Sequence, residues 1–444
     1  MTPSKKKESK QKITREISID HIARIEGKAG IEVTYDGSQV ELVRVNVFEG
    51  PRYFEAITKG KPIEEATAVF PRICSFCAAA HKVTALQAAE NAIGLKPTEQ
   101  TRALRELLYT GDYIESHALH LFLLALPDFL GYPDAFSMAE DHPDVVNAAI
   151  ALKDIGADIQ NVIGSRYIHQ ENAILGGFGK IPSKQSLETL ARRLRMLQCE
   201  AEEALEQLVS YPNWPEVDAK RTHLALEPHD GSYTMLGDTI KASDGNEFKV
   251  DAYQVRMAEE VVPYSFAKHG TYSFNPFMTG AISRFSLFGH GISARAAELA
   301  ETYASHLDPK NPMSNNFAQS VELVHFVHRA EKIAEDLASD LKPYEKRIEP
   351  KVTKGGKGVA ITEAPRGLLA YTLEVDKNAK VVSADIITPT VMFLPMMETD
   401  LRRMAEGLVS DGMKEPTEIG NKLETVVRAY DPCISCSVHV ADVR

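Results

Sequence analysis

Two cysteine pairs of the form Cys-x-x-Cys stand near opposite ends of this 444-residue chain, and a histidine follows each pair. The residues are Cys74, Cys77 and His81 in one segment and Cys433, Cys436 and His439 in the other. Four thiolates form a ligand set for soft or borderline metals such as zinc, nickel or iron. We therefore expect the fold to bring both ends of the chain together around one buried metal site.

The spacing alone leaves the kind of site open. Zinc ribbons usually place their pairs close together on turns, whereas the first pair here opens an alanine-rich segment with a helical pattern. On a helix, positions 74, 77 and 81 would lie near one face. A structural zinc site and a catalytic metal site both fit these residues. A thioredoxin-like redox pair is disfavoured because no βαβ pattern surrounds either pair.

Charge and composition exclude several function classes. A net charge of −12 disfavours nucleic acid as a partner, because phosphate binding needs a concentrated cationic surface. The one basic cluster lies within residues 1–15, which we interpret as a solvated, disordered tail. No apolar run has the roughly 18 to 20 residues of a membrane span, and no signal peptide is visible. We expect a cytoplasmic protein.

The periodicity predicts a mainly α-helical fold with small accessory sheets. Residues 16–50 alternate as strands do, with a turn at Asp36-Gly37. From Ile63 the pattern becomes helical, with an interruption near Pro71 and an end at Gly94. Residues 99–126 predict a long helix that is apolar on more than one face and hence central. We interpret residues 16–439 as one large helical domain around the buried metal site, with peripheral antiparallel sheets.

The residues that flank the cysteines narrow the choice of metal. "RICSFCAAAH" and "DPCISCSVH" resemble the two nickel-binding motifs of the large, catalytic subunit of nickel–iron (NiFe) hydrogenases. "RIEG", "GPRYFE", "LALPD", "EAPRG" and "DIITPT" resemble further segments of that family, in the family's order. Many relatives have glycine after the first cysteine, where this chain has Ser75-Phe76. With the chain length, that departure resembles the cytosolic, bidirectional, sulfhydrogenase-like branch, whose enzymes exchange electrons with NAD(P).

The resemblance implies ligands and roles at the metal site. All four cysteines would bind nickel, and Cys77 and Cys436 would also bridge to an iron that holds CO and cyanide. Glu26 would accept the first proton after Cys433. Arg366 would lie over the two metals, hydrogen-bonded to a cyanide. The other implied residues are Asp128 and Asp431, which would hold the charge of Arg366; Pro389 and Thr390, which would pack around the diatomic ligands; and His81, which would hydrogen-bond a cysteine sulfur.

The resemblance also implies a second metal, Mg²⁺ or iron, bound by Glu55, the backbone carbonyl of Ile386 and His439. Plainer interpretations exist for several of these residues. Without the resemblance, Glu26 is a surface charge beside a turn glycine, and Arg366 is an ordinary ion-paired arginine. For the family-like histidines, core packing is at least as good an explanation as a proton path; these are His117, His120 and His169.

The number of cysteines indicates that electron transfer needs partner subunits. The chain has five cysteines, and the fifth, Cys199, matches no motif, so none are left for iron–sulfur clusters. The resemblance implies an iron–sulfur small subunit, diaphorase-type subunits with FAD and NAD(P), ferredoxin-like subunits, and an endopeptidase that removes residues 440–444 during maturation. The predicted activity is reversible cleavage of H2. The alternatives are a protein stapled by zinc and a relative such as the quinone-site subunit of respiratory complex I, whose members lack the cysteine pairs.

Overall fold

The computed structural model describes residues 15–36, 39–211, 214–229, 231–413 and 415–438. All of the predicted N-terminal tail except Arg15, and also His439 and residues 440–444, lie outside the described residues. Helical segments account for about half of the described chain. Its α-helices are α1 (Phe54–Thr58), α2 (Ile63–Val69), α3 (Ala78–Ile93), α4 (Glu99–Leu119), α5 (Leu126–Leu130), α6 (Ala135–Asp141), α7 (Pro143–Gly164), α8 (Lys184–Met196), α9 (Gln198–Ser210), α10 (Ala281–Phe288), α11 (Ala294–Thr302), α12 (Ser314–Ser339), α13 (Pro389–Ser410), α14 (Pro416–Ala429) and α15 (Ile434–Ser437).

Helix α4 is buried on nearly all sides, as its sequence predicts, and it packs against α7 and α12. Two glycines permit the close crossing of α4 and α7. A Cβ atom on Gly156 would lie 2.6 Å from the carbonyl oxygen of Gly111, closer than real side chains come. Helix α12 then packs against α8 and α9, so that α4 and α12 together form the centre of the helical layer.

The predicted helix over residues 99–126 is interrupted near its end. Helix α4 ends at Leu119, a π-helical turn covers His120–Ala125, and α5 begins at Leu126. Pro127 has no backbone N–H, so it cannot continue the hydrogen-bond ladder of an α-helix. Such π turns change the direction of the side chains that follow and often occur near functional sites.

Small antiparallel sheets surround the helices. Strands β1 (Arg15–Ile19), β2 (Ala29–Tyr35) and β3 (Val40–Val47) form the sheet predicted for residues 16–50. The remaining strands are β4 (Ala173–Ile174), β5 (Gly177–Phe178), β6 (Leu224–Pro228), β7 (Gly237–Ala242), β8 (Glu247–Lys249), β9 (Met257–Glu260), β10 (His269–Tyr272), β11 (Gly356–Ala364), β12 (Gly367–Val375) and β13 (Val381–Ile387). All of the paired strands are antiparallel.

The hairpin between β11 and β12 carries Arg366, one of the predicted site residues. Ala364 pairs with Gly367, so Pro365 and Arg366 form the turn. Gly367 has φ 133°, a conformation that side chains rarely adopt. Both strands pack against α3, which begins directly after the first cysteine pair. The tight turn therefore brings Arg366 to the same region as the cysteines.

The predicted fold class is confirmed: the described chain is mainly α-helical with small antiparallel sheets. The largest cluster of buried hydrophobic residues contains all four motif cysteines. Among the described residues, no helix is both long enough and apolar enough to cross a membrane.

Candidate metal centre

The first cysteine pair lies in a turn that precedes a helix. A 3-10 turn over Phe70–Ile73 ends at Cys74, whose backbone is extended at φ −145° and ψ 144°. Cys77 is the N-cap residue of α3, and only His81 lies in the helix itself. The expectation that positions 74, 77 and 81 share one helix face is therefore wrong. The extended backbone at Cys74 ends the 3-10 turn before α3 begins.

The second pair is held by two separate parts of the chain. Cys433 has extended backbone and forms a parallel bridge with Glu26, and Cys436 lies in the short helix α15. The backbone N–H of Cys433 donates to Thr390 Oγ1 at 3.0 Å. The hydroxyl of Thr388 donates to the carbonyl of Cys436, also at 3.0 Å. The start of α13 and the N-terminal segment thus fix the last described turn of the chain.

The structure brings the two cysteine pairs together in the core. The Sγ atoms lie 3.2 Å apart between Cys74 and Cys433, 3.1 Å between Cys77 and Cys436, and 2.9 Å between Cys433 and Cys436. The four sulfur atoms all lie within 4.8 Å of one another, and all four residues are buried. This spacing allows one metal ion to contact every sulfur.

The pKa of each of these cysteine thiols depends on the neighbouring thiols. Burial raises the pKa of Cys433 and of Cys436 well above the ordinary thiol value, and the neighbouring sulfurs contribute to the shifts. For Cys74, burial also raises the pKa, but hydrogen bonds from the other three thiols and the charge of Arg366 outweigh it, so that the net pKa is lowered. Several adjacent buried thiolates are stable only when a cation compensates their charge.

The donor set tests whether the residues fit a metal. Four buried sulfurs without any carboxylate among them favour a soft or borderline ion over Mg²⁺ or Ca²⁺. Nickel and iron satisfy this requirement, and so does zinc. The cluster therefore fits the predicted nickel and iron, while the choice among these metals needs a further observation.

Arg366 lies beside the cluster with one unused donor. Its Nε atom donates to the carbonyl of Asp431 at 2.8 Å, and Nη2 donates to Asp431 Oδ1 at 2.9 Å. Nη1 is buried and has no hydrogen-bond partner among the described residues. A buried guanidinium N–H without an acceptor is costly, so this N–H is available to a group bound beside the cysteines.

A small buried cavity adjoins the cysteines and Arg366. Its lining consists of Cys77, His81, Ala364, Pro365, Arg366, Leu369, Pro389, Thr390, Cys433 and Cys436. The predicted residues Pro389 and Thr390 thus contact the same space as the unused donor of Arg366. Apolar walls with one strong donor suit small ligands that carry little polar surface.

His81 lies beside a sulfur of the cluster. Its Nε2 atom is 3.5 Å from Cys436 Sγ, and Nδ1 lies 2.7 Å from the hydroxyl of Tyr371. Tyr371 belongs to β12 and is fully buried. The tyrosine therefore fixes the orientation of the ring, a common arrangement around metal ligands.

Glu26 lies directly beside a predicted nickel ligand. Its Oε2 atom is 3.2 Å from Cys433 Sγ and accepts the backbone N–H of Ser435 at 2.9 Å. The hydroxyl of Ser435 donates to Oε1. Burial raises the pKa of Glu26, the charge of Cys74 raises it further, and the bonds from Ser435 oppose the shift. A carboxyl group in this setting can exchange a proton with the adjacent sulfur.

The predicted second metal site is only partly described. Glu55 Oε1 accepts the backbone N–H of Ile386 at 2.7 Å, so these two predicted ligands are neighbours. Burial raises the pKa of Glu55 to about 8, with nearby Asp385 and Glu259 adding to the shift. Lys268, which pairs with Glu259 at 2.9 Å, opposes this shift, and a further cation beside the three acids would also be stabilising. His439 lies outside the described residues.

Asp128 does not contact Arg366, and this prediction requires correction. Its carboxylate instead binds Arg24 and Arg428. The π turn before α5 and the C-terminal end of α14 place these groups together, and Asp431 alone of the two predicted acids pairs with Arg366. Sequence order could not reveal this choice, because all three arginines come from remote segments.

Asp112 is a buried acid near the site that the motifs did not indicate. It lies in α4, and its Oδ1 atom has no hydrogen-bond partner among the described residues. Burial raises its pKa well above the ordinary value, the charges of Glu115 and Cys74 raise it further, and Arg366 opposes this. In the sequence, the one indication of Asp112 was that an acidic residue lies within a helix predicted to be central.

The family-like histidines bond to core residues. His117 Nε2 donates to Glu322 at 2.7 Å, and His120 Nε2 donates to the carbonyl of Arg428 at 2.7 Å. Both histidines are fully buried. His169 is half-buried, and burial lowers its pKa. His117 and His120 thus have defined hydrogen-bond partners in the core.

The whole-chain comparisons identify the family. The model of the nickel-dependent hydrogenase family matches residues 52–156 and 213–439, which include both cysteine pairs. The chain belongs to the nickel-dependent hydrogenase family. It is a hydrogenase, an oxidoreductase, and the family together with the four-cysteine cluster supports nickel and iron as its metals. Large subunits of this family pair with small iron–sulfur subunits.

Similar proteins extend over almost the whole chain. The alpha chain of sulfhydrogenase 1 from Pyrococcus furiosus is 49% identical over 424 residues, which cover 96% of this chain and 98% of the relative. The corresponding alpha chain of sulfhydrogenase 2 from the same organism is 36% identical over 430 residues, with 95% and 98% covered. A solved NAD+-reducing NiFe-hydrogenase in the H2-reduced state has TM-score 0.86 at 24% identity, with 96% of this chain and 99% of that chain covered. That structure supports the fold.

Proposed function

We propose that this chain cleaves H2 reversibly and heterolytically at a nickel–iron centre held by its four cysteines, and passes the electrons through an iron–sulfur subunit to NAD(P). The observation that carries the proposal is the convergence of four buried sulfurs with an acid on one side and an unused guanidinium N–H nearby. Cys77 and Cys436 are proposed to bridge nickel and iron, and Cys74 and Cys433 to bind nickel alone. Bound there, the two metals would polarise H2 and take up its electrons.

Glu26 is proposed to receive the proton of the cleaved H2 from Cys433. Their separation of 3.2 Å is hydrogen-bond distance for a thiol, so the transfer needs no movement of either residue. Ser435 holds both carboxylate oxygens of Glu26 in place. A fixed acceptor close to a sulfur lowers the reorganisation required for each proton transfer.

Arg366 is proposed to hold the diatomic ligands of the iron in the small cavity. Its unused Nη1–H would donate to a cyanide nitrogen, and Asp431 prevents the guanidinium from turning away. Pro389 supplies an apolar wall, and Thr390 a hydroxyl that also accepts from Cys433. Glu55, the carbonyl of Ile386 and His439 are proposed to bind a separate Mg²⁺ or iron.

Electrons must leave this chain through a partner. Four of the five cysteines lie in the cluster, and Cys199 is exposed and distant in sequence from the motifs. This composition leaves no ligand set for an iron–sulfur relay. We propose an iron–sulfur small subunit followed by ferredoxin-like and diaphorase-type subunits with FAD and NAD(P), in a cytoplasmic complex. This route rests on the resemblance of the cysteine-flanking motifs to the cytosolic, bidirectional branch of the family.

The proposal is tested on the complex purified from its native host, because unassisted expression can yield a metal-free chain. We expect nickel and iron in near-equal amounts at the cysteine site, little zinc, and reduction of a viologen dye by H2. NAD+ and NADP+ are then offered separately as acceptors. Zinc without nickel would overturn the metal assignment, and dye reduction without reduction of either nucleotide would overturn the proposed electron route.

We further propose that residues 16–439 form one domain and that an endopeptidase removes residues 440–444 after nickel insertion. Cys433 and Cys436 are buried and their segment is fixed by hydrogen bonds, so closing this segment completes the site. Mass spectrometry of the active large subunit is expected to find His439 as its last residue. A metal-loaded, active chain that still ends at Arg444 would contradict processing, and the unprocessed metal-free chain serves as the reference mass.

A further inference from the structure

We propose that Asp128 is a positioning residue that sets the placement of both Glu26 and Arg366 relative to the cysteine cluster. The inference rests on the proposed function, since that function gives these two side chains their roles. Asp128 itself contacts neither of them. Its influence passes along two hydrogen-bonded branches that begin at its carboxylate.

The origin of both branches is a buried ion cluster. The Asp128 carboxylate binds Arg24 through Oδ1 and Arg428 through both oxygens, with Arg428 Nη2 at 3.0 Å. The side chains of Asp128 and Arg428 are 10% and 2% exposed. Glu424 binds the same guanidinium of Arg428 at 3.2 Å. Removing the charge of Asp128 would leave the buried guanidinium of Arg428 and the partly buried guanidinium of Arg24 with one carboxylate, that of Glu424, and such a loss is unfavourable.

The first branch leads to Glu26. Arg24 also donates to the carbonyl of Leu124, and Arg428 Nη1 donates to the carbonyl of Ala23 at 2.8 Å. Arg24 has φ 58°, a conformation that a non-glycine residue keeps only when its surroundings hold it. Glu26 follows two residues later, and its own carbonyl accepts the N–H of Ile434 at 3.0 Å. The direction of the Glu26 segment therefore depends on the ion cluster.

The second branch leads to Arg366. The carbonyl of Arg428 accepts from His120 Nε2 at 2.7 Å, and His120 Nδ1 donates to Gln319 Oε1, so both ring nitrogens act as donors in this branch. Gln319 Nε2 donates to Asp431 Oδ2 at 3.2 Å, and Asp431 Oδ1 accepts from Arg366 Nη2 at 2.9 Å. Each step is a hydrogen bond between buried groups. The π turn places His120 at the centre of this branch.

A matched control separates positioning from a general loss of stability. Glu90 and Arg105 form a buried pair with bonds of 2.7 and 2.6 Å, and their side chains are 3% and 6% exposed. Within the described part of the chain, their further hydrogen bonds go to Ile174 and Gly176, away from the segments of Glu26 and Asp431. Asp128→Asn and Glu90→Gln therefore remove one carboxylate charge each from comparable buried pairs, and only the first lies on the branches.

The experiment measures amide hydrogen exchange and H2-dependent dye reduction in the whole complex. In Asp128→Asn we expect faster exchange in peptides from 20–27 and 429–438 and a fall in kcat of about 10-fold, the scale of a modest misplacement of reacting groups. In Glu90→Gln, the amide exchange rates of both peptides and the value of kcat should stay close to those of the wild type. Should Asp128→Asn not assemble, Asp128→Glu allows the same comparison with smaller changes.

Two results would overturn the proposal. One is unchanged exchange in either peptide of the Asp128 variant, and the other is a loss of kcat no larger than that of Glu90→Gln. The exchange measurement does not depend on H2 chemistry. A wild-type complex without nickel or H2 activity would contradict the proposed function, while the exchange data would still decide whether Asp128 holds both segments.

Discussion

Replacing Cys436 with serine is expected to remove nickel and iron and to abolish H2-dependent dye reduction. Cys436 Sγ lies within hydrogen-bonding distance of three groups at the centre of the site: Cys77 Sγ, Cys433 Sγ and the ring of His81. A serine hydroxyl is a harder and far less acidic donor than a thiol, so it does not replace a thiolate toward nickel. We expect nickel content to fall by at least about 10-fold and activity to reach background.

The chain provides its own control for this substitution. Cys199 is an exposed cysteine on α9 and belongs to no cluster among the described residues. Cys199→Ser should retain the metal content and rate of the wild type. Both variants are purified with their partner subunits, and metals are measured by inductively coupled plasma mass spectrometry. Full metal content and activity in Cys436→Ser would refute the assignment of this sulfur as a ligand.

Glu26→Gln is expected to slow proton exchange with solvent strongly while H2 cleavage itself continues. Glutamine has almost the same shape and can still accept a hydrogen bond from Ser435, but it does not take up a proton from Cys433. Loss of a positioned proton acceptor typically lowers rates by about 10² to 10⁴-fold. We expect losses of this size in dye reduction and in exchange between D2 and water.

Conversion of para-H2 to ortho-H2 provides the distinguishing measurement. It requires cleavage and recombination of H2 but no transfer of protons to solvent, so Glu26→Gln should retain it together with normal nickel content. Glu16→Gln, on the exposed face of β1, is the control and should leave all three rates unchanged. Exchange at the wild-type rate in Glu26→Gln would show that another group accepts the proton.

Much of the fold was predictable because local rules act over short segments. The interrupted helix from Ile63 to Gly94 follows from Pro71 and from a glycine that ends α3 at φ 69°. Alternation in residues 16–50 gave the first sheet, since period-two patterns need no information from elsewhere. The metal-binding role of the four motif cysteines was predictable too, because two short Cys-x-x-Cys motifs have few functions other than metal binding.

The predictions that failed concern one contact between remote segments and two details of local backbone. Asp128 was expected beside Arg366, but Arg428, 300 residues away in sequence, competes for its carboxylate. The π turn at His120–Ala125 was missed because Pro127 resembles a simple helix end in sequence. The helical face expected for Cys74 and Cys77 is a turn, since the extended backbone at Cys74 breaks the periodicity.

The sequence by itself determined the metal-binding residue types, the helical class of the fold and the family, because these depend on residue identity and local spacing. Only the tertiary structure decided which charged groups meet. It placed Glu26 at 3.2 Å from Cys433, left Arg366 Nη1 without an acceptor among the described residues, and gave Asp128 two arginines. Pairing of buried charges depends on distances of a few ångströms between segments far apart in the chain, and such distances are set when the helices pack.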